Sequence, residues 1–122
     1  MFVEKTVLAE KFDRVNDYWD PKRVGSVDDY DVKVVKILGD FVWHSHKDED
    51  ELFLVVEGAF RMDFRDAQVE VEAGEFIVVP KGIEHKPFAA EECKVLLFER
   101  RGVINTGDAP AGALTRGEAE RI

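Results

Sequence analysis

Residues 39–58 read GDFVWHSHKDEDELFLVVEG. His44 and His46 sit one residue apart, a lysine and four acids follow, and the chain then turns apolar from Leu52 to Val56. In an extended strand residues i and i+2 face the same side, so the two imidazoles point together. Two neutral imidazoles on one face suit a divalent metal. LFLVV is apolar at both parities, as expected of a strand covered on both faces. FIVV at 76–79 reads the same way, whereas QVEVE at 68–72 alternates and predicts a strand with one wet face.

Further short runs rich in Val, Ile and Phe recur from Tyr30 to about Arg100: DVKVVKIL, DFVWHSH, AFRMDFRD and CKVLLFE. Turn residues separate them, including Gly39, Gly58, Gly74 and Lys81-Gly82. Many short strands at regular spacing predict a sandwich or barrel. Upstream, Leu8, Phe12, Val15 and Trp19 recur at helical spacing, which predicts a short helix over 8–19 that Pro21 ends. After Arg101 the chain is rich in Gly, Ala and Pro. An irregular surface tail is expected there, with a last helical turn capped by Thr115 and Glu118. The 122 residues fit one domain. Residues 1–30 form its N-terminal helix and arm, 31–100 its barrel, and 101–122 its tail.

Composition narrows the partners. A net charge of -9 argues against nucleic acid and anionic membranes, both of which need clustered Lys and Arg. No apolar run approaches the ~20 residues of a membrane span. The N-terminus lacks the basic-then-apolar order of a signal peptide. Cys93 is the single cysteine. No internal disulfide can form, a cytoplasmic location is expected, and within CKVLLF the thiol reads as buried and inert.

The third and last histidine, His85, comes just after FIVVPKG. If that strand runs near HSH, its end brings His85 to the same point. On spacing alone two readings stand: a metal site, or three histidines beside turns with a solvated acidic run.

The residues also resemble a family. Gly39-x4-His44-x-His46-x4-Glu51-x6-Gly58 is similar to the first cupin motif, and Gly74-x5-Pro80-x-Gly82-x2-His85 to the second. WHSHKDEDELF, GEFIVVPKGIEHKP and the tail NTGDA resemble small single-domain bacterial cupins, some of them labelled similar to mannose-6-phosphate isomerase. The gap between Gly39 and His44 is one residue short of the usual spacing, and Ala89 stands where the second motif ordinarily ends in Asn. The resemblance implies an all-β fold: an antiparallel jelly-roll β-barrel (cupin) with a metal in its mouth. By family pattern the ligands are His44, His46, Glu51 and His85, holding one divalent transition metal per chain (Mn, Fe, Ni, Co, Cu or Zn), with one or two positions left for water or substrate. Strand parity also favours Glu51, which shares a face with Phe53 and Val55; Glu49 is the rival if the turn is tight.

Parity places Val42, Phe53 and Val55 on the ligand side, with Met62, Phe64, Val69 and Val71 on the opposing wall or in the core. These residues line a small substrate pocket or simply fill the barrel. A sugar-phosphate isomerase needs a basic cradle, and Arg61, Arg65 and Lys33 are the only candidate cations on these strands, so that label is discounted. The expected function is a metal-dependent enzyme acting on a small polar metabolite, of dioxygenase, isomerase or lyase type. The alternatives are a non-catalytic metabolite-binding or sensing cupin, and a metal with a purely structural role. Two-faced apolar strands also predict a homodimer.

Overall fold

The computed structural model describes residues 3–122. One helix, α1 (Leu8–Phe12), precedes seven strands: β1 (Lys22–Val27), β2 (Tyr30–Asp40), β3 (Glu51–Glu57), β4 (Ala59–Phe64), β5 (Gln68–Glu72), β6 (Phe76–Val79) and β7 (His85–Arg100). All strand pairings are antiparallel, in the order β1-β2-β7-β3-β6, with β4 between β5 and β7. The sixteen-residue β7 is the spine of this sheet. Its first residues pair with β4, its last with β3, and most of its length with β2.

Period-two alternation sorts the spine into two faces. Three inner rungs cross β2, β7 and β3: Val35–Val95–Val55, then Lys33–Leu97–Phe53, then Asp31–Glu99–Glu51. The first is apolar and buried, and its neighbours Ile37, Phe60, Met62, Val71 and Ala89 complete the main core. The third is a row of three carboxylates, all buried. On the outer face, Val34 is covered by Phe12, Val15 and Val24, which form a second, smaller core.

Several expectations change in the folded chain. The helix stops at Phe12 rather than running to Trp19. Asp13, Asn16 and Asp17 are weak helix formers. The backbone of Trp19 hydrogen-bonds instead to Lys36 O at 2.9 Å, alongside β2. Phe12, Val15 and Trp19 are still all buried, reached by a turn and an extended segment rather than by one helix face. β1 lies inside the stretch read as an arm, because Gly25 and Ser26 masked its alternation. DFVWHSH is not a strand; only a single bridge joins His44 to His85. FIVV is not covered on both sides, since Phe76 is 62% and Val78 46% exposed. In β5 only Val71 enters the core, and Val69 is exposed. The tail is irregular as expected, but no helical turn forms at Thr115. Its hydroxyl instead accepts the Gly112 N–H and lies 3.0 Å from that of Thr106. Cys93 is fully buried, and burial pushes its thiol up to about 11, in keeping with an inert side chain.

Candidate metal centre

Three pieces of chain deliver four side chains to one point. The irregular segment 41–50 carries His44 and His46, Glu51 opens β3, and His85 opens β7. The segment is held to β7 by Phe41 N–H to Pro87 O and by reciprocal bonds between His44 and His85. The backbone after β6 turns at Gly82, whose φ of 80° suits a residue without Cβ. Gly82 N–H also donates to His46 O at 2.8 Å. One ligand atom from each of His44, His46, Glu51 and His85 lies within 4.8 Å of the others, and all four residues are buried.

The donor atoms present the chemistry a cation needs. Nδ1 of His44 lies 2.9 Å from Val42 O, and Nδ1 of His85 lies 2.9 Å from Ile83 O. A carbonyl only accepts, so each ring carries its proton on Nδ1 and presents the Nε2 lone pair to the centre. Glu51 Oε1 is 2.9 Å from His46 Nε2 and 3.4 Å from His85 Nε2. These three atoms are buried without a hydrogen-bond partner. A divalent cation would satisfy them together, and three imidazoles with one carboxylate fit a transition metal. Burial, aided by repulsion from His85, pushes His44 down to about 4, so at neutral pH the ring is in its metal-binding form. Burial opposes charge on Glu51, but its contacts with Glu99, His46 and His85 outweigh that and hold the carboxyl well below its usual range. Asp48 and Asp50 stay in the exposed turn, where Asp50 accepts the Lys81 N–H, and Glu49 borders a surface hollow. Neither they nor Glu49 join the cluster.

A cavity of about 40 Å3 opens beside the cluster. His44, Glu51, Glu99 and Asn105 supply its polar wall, and Phe41, Phe53, Val35, Val95 and Leu97 most of the rest. Of the pocket candidates, Phe53 lines this space. Val55 and Met62 are core residues, and Val42 and Phe64 pack against the core, partly buried. Val42 lies in segment 41–50, which leaves the strand geometry on which parity rests. Val55 does share the inner face with Glu51, but two rungs deeper. Trp19 also lines the cavity and stacks on Phe41 at 4.6 Å between ring centroids. Its φ of 60° is costly for a bulky residue, and its indole N–H donates to Leu38 O at 2.9 Å.

Two further features of the site lie outside the two ligand motifs, one of them in the tail stretch NTGDA, residues 105–109. Glu99 faces Glu51 directly across β3 and β7 and accepts from Lys33 Nζ at 2.9 Å. Burial, then the facing charge of Glu51, push its carboxyl well above the usual range, against the pull of Lys33. The second feature is the tail. Asp108 accepts the Ser45 N–H at 2.7 Å and the Ser45 hydroxyl at 3.0 Å, clamping the residue between the two histidines. Gly107, with φ 52°, packs so closely that a Cβ there would collide with Ser45 O and stand 3.1 Å from both His44 Cδ2 and His46 Cε1.

Comparison with known proteins agrees with this geometry. The family model described as "Cupin domain" matches residues 34–99. The chain is a cupin. A cupin-2 domain containing protein from Shewanella frigidimarina NCIMB 400 is 46% identical, with a TM-score of 0.78 over 79% of this chain and 94% of that one. Protein NMB1881 from Neisseria meningitidis is 32% identical, with a TM-score of 0.74 over 80% of this cupin and 99% of that chain. The curated protein YdbB of Bacillus subtilis (strain 168) is 38% identical over 64 residues, which is 52% of this chain and 57% of YdbB. The cupin thus spans little more than half the length of that relative.

Proposed function

We propose that this cupin is a metal-dependent enzyme acting on a small molecule bound in the barrel mouth. The observation that carries the reading is the meeting of unpartnered, buried Nε2 and Oε1 atoms in one cluster, two of whose members, His44 and Glu51, line an apolar cavity. One divalent transition metal per chain, held by His44, His46, Glu51 and His85, would supply a Lewis-acidic centre for a substrate oxygen. The chain's own residues do the rest. Val42 O and Ile83 O fix the ring orientations of His44 and His85. Glu51 offsets part of the cation's charge. Phe53, Leu97 and the Trp19–Phe41 stack keep bulk water from the cavity. The cavity walls hold no Lys or Arg. Lys33 is engaged by Glu99, Arg61 by Asp63 and Arg65 by Glu84, so none of the three candidate cations is placed to cradle a phosphate.

The test is metal analysis of untagged protein, followed by aerobic and anaerobic turnover of a substrate panel with Mn, Fe or Ni loaded. Metal-dependent turnover at about one ion per chain is expected. Tight ligand binding without turnover by any metal form would replace the enzyme with a sensing module. Protein that takes up no metal would refute both.

A second copy of the chain belongs to the same proposal. Leu52, Leu54, Leu96 and Phe98 are half-buried on the outer face of the sheet, and Phe76 and Val78 extend that face in exposed positions. A homodimer through this face would cover them, and a monomer mass by light scattering at micromolar concentrations would refute it. Among the described residues no helix is long and apolar enough to cross a membrane. A net charge of -9 and one buried thiol fit a cytoplasmic protein whose partners include neither nucleic acid nor membrane.

A further inference from the structure

Glu99 is buried at 2% exposure, and the cluster of four does not include it. Its Oε1 accepts from Lys33, while its Oε2 is buried and no N–H or O–H donor reaches it, the side chain otherwise meeting only the facing Glu51 carboxyl. The side chain belongs to the cavity wall, next to Glu51. A buried carboxyl oxygen in that position is destabilising until a donor or acceptor reaches it. The remaining wall gives the rest of a ligand's outline. A cavity of about 40 Å3 clears the roughly 10–15 Å3 that a water requires and limits a ligand to a few heavy atoms. Phe53, Leu97, Val35 and Val95 offer only apolar contact. The wall holds two carboxyls and no cationic side chain, and the one buried cation beside it, Lys33, is already engaged by Glu99, so apart from the metal itself a ligand carboxylate finds no free counter-charge.

We propose that Glu99 is the ligand-orienting residue of this cavity, and that its ligand is a small uncharged molecule with oxygens on adjacent carbons. One is a hydroxyl bonded to Glu99 Oε2. The other is directed at the His44–His46–Glu51–His85 cluster. Glu51 and Glu99 are direct cross-strand partners on one face and both line the cavity, so one small ligand can meet Glu99 and the cluster together. The inference rests on reading the cluster as a metal centre. α-Hydroxyketones and vicinal diols of three or four carbons form the class.

Zinc-loaded protein, which is redox-silent, allows binding to be read without turnover. Trp43 lies under Arg65, so Trp43→Phe leaves Trp19, in the cavity wall, as the single tryptophan reporter. Hydroxyacetone, acetone and lactate are titrated by its fluorescence. Hydroxyacetone should bind roughly two- to tenfold more tightly than acetone, as one hydrogen bond to a neutral carboxyl predicts. Lactate should bind more weakly than hydroxyacetone. In Glu99→Gln, the amide oxygen keeps Lys33 and the NH2 group turns to Glu51, so hydroxyacetone should fall to the level of acetone with zinc stoichiometry unchanged. Glu99→Asp, which withdraws the carboxyl by one methylene, should do the same and serves if the glutamine variant fails to fold. Equal binding of hydroxyacetone and acetone to the parent protein, a preference that survives in both variants, or tighter binding of lactate would each overturn the inference while leaving the metal centre standing. Failure of the parent to bind zinc would remove the metal centre and the inference together.

Discussion

Asp108 lies sixty-two residues beyond His46, yet its removal should loosen the metal centre. Its two carboxylate oxygens hold the backbone N–H and the hydroxyl of Ser45 at 2.7 and 3.0 Å, and its own N–H donates to Ser45 O at 3.1 Å. Ser45 sits between His44 and His46, so these bonds fix the loop that must converge both rings. Asp108 is exposed, which places each side-chain bond near the low end of the usual range, about 0.5–1 kcal/mol. Together they amount to about 1–2 kcal/mol, or a factor of roughly 5–30 in an equilibrium constant. Asp108→Ala should therefore weaken zinc binding by about tenfold, in line with the effect of removing groups that orient ligands. Asp108→Asn keeps an acceptor for the Ser45 N–H and should stay within a few-fold of the parent. Gly107→Ala should cost more, because the new methyl collides with Ser45 O and crowds both rings. Competition with a chromogenic chelator gives the dissociation constants, and melting of the chelator-stripped proteins checks the fold separately. Parent-like zinc affinity in Asp108→Ala would refute the clamp. An equal loss in Asp108→Asn would show that charge, not geometry, is responsible.

Glu51→Gln should weaken metal binding by an order of magnitude or more, and Glu49→Gln should leave it nearly unchanged; isothermal titration with zinc separates them, and a larger loss at Glu49 would remove Glu51 from the site. Phe76→Glu should shift any dimer to monomer in sedimentation without lowering zinc affinity, because Phe76 lies on the outer face of the sheet. Cys93 holds its proton in the fold up to about 11 against 9.0 ordinarily, so the unfolded chain releases that proton first and stability falls as pH rises from 9 to 11, by at most roughly 2–3 kcal/mol. Urea midpoints at pH 8 and pH 10.5 should show this drop in the parent and lose it in Cys93→Ala. Met62→Ala, at a side chain with no exposure, should cost about 2–5 kcal/mol in the same assay, and a cost below 1 kcal/mol would contradict the core assignment.

How far the sequence could be read depended on whether a feature was local. The motif spacings and the three histidines identify the cluster, because glycine turns, strand ends and ligands recur at fixed offsets along the chain. The barrel texture was equally plain, since alternation and turn residues are short-range signals. Trp19 was read as a helix position because its spacing fits 3.6 residues per turn. The competing bond from its backbone to Lys36 lies seventeen residues away and leaves no local mark. Glu99 and Lys33 had the same difficulty in sharper form. Lys33 reads only as a candidate phosphate ligand, and Glu99 belongs to no motif. Their inward direction follows from register: Lys33 opposes Leu97, Glu99 opposes both Asp31 and Glu51, and opposed residues share a face. A sequence without its pairing cannot supply that register. One local signal did exist, however. Val35, Val95 and Leu97 are buried, and counting back or forward in steps of two from them reaches Lys33 and Glu99 on the same side. Parity taken from the apolar anchors rather than from residue polarity places both charges inside, and a buried lysine and glutamate on neighbouring strands then call for each other as partners. The same count applied to β3 runs from Val55 through Phe53 to Glu51, so the third carboxyl of the row and the ligand of the motif are one residue.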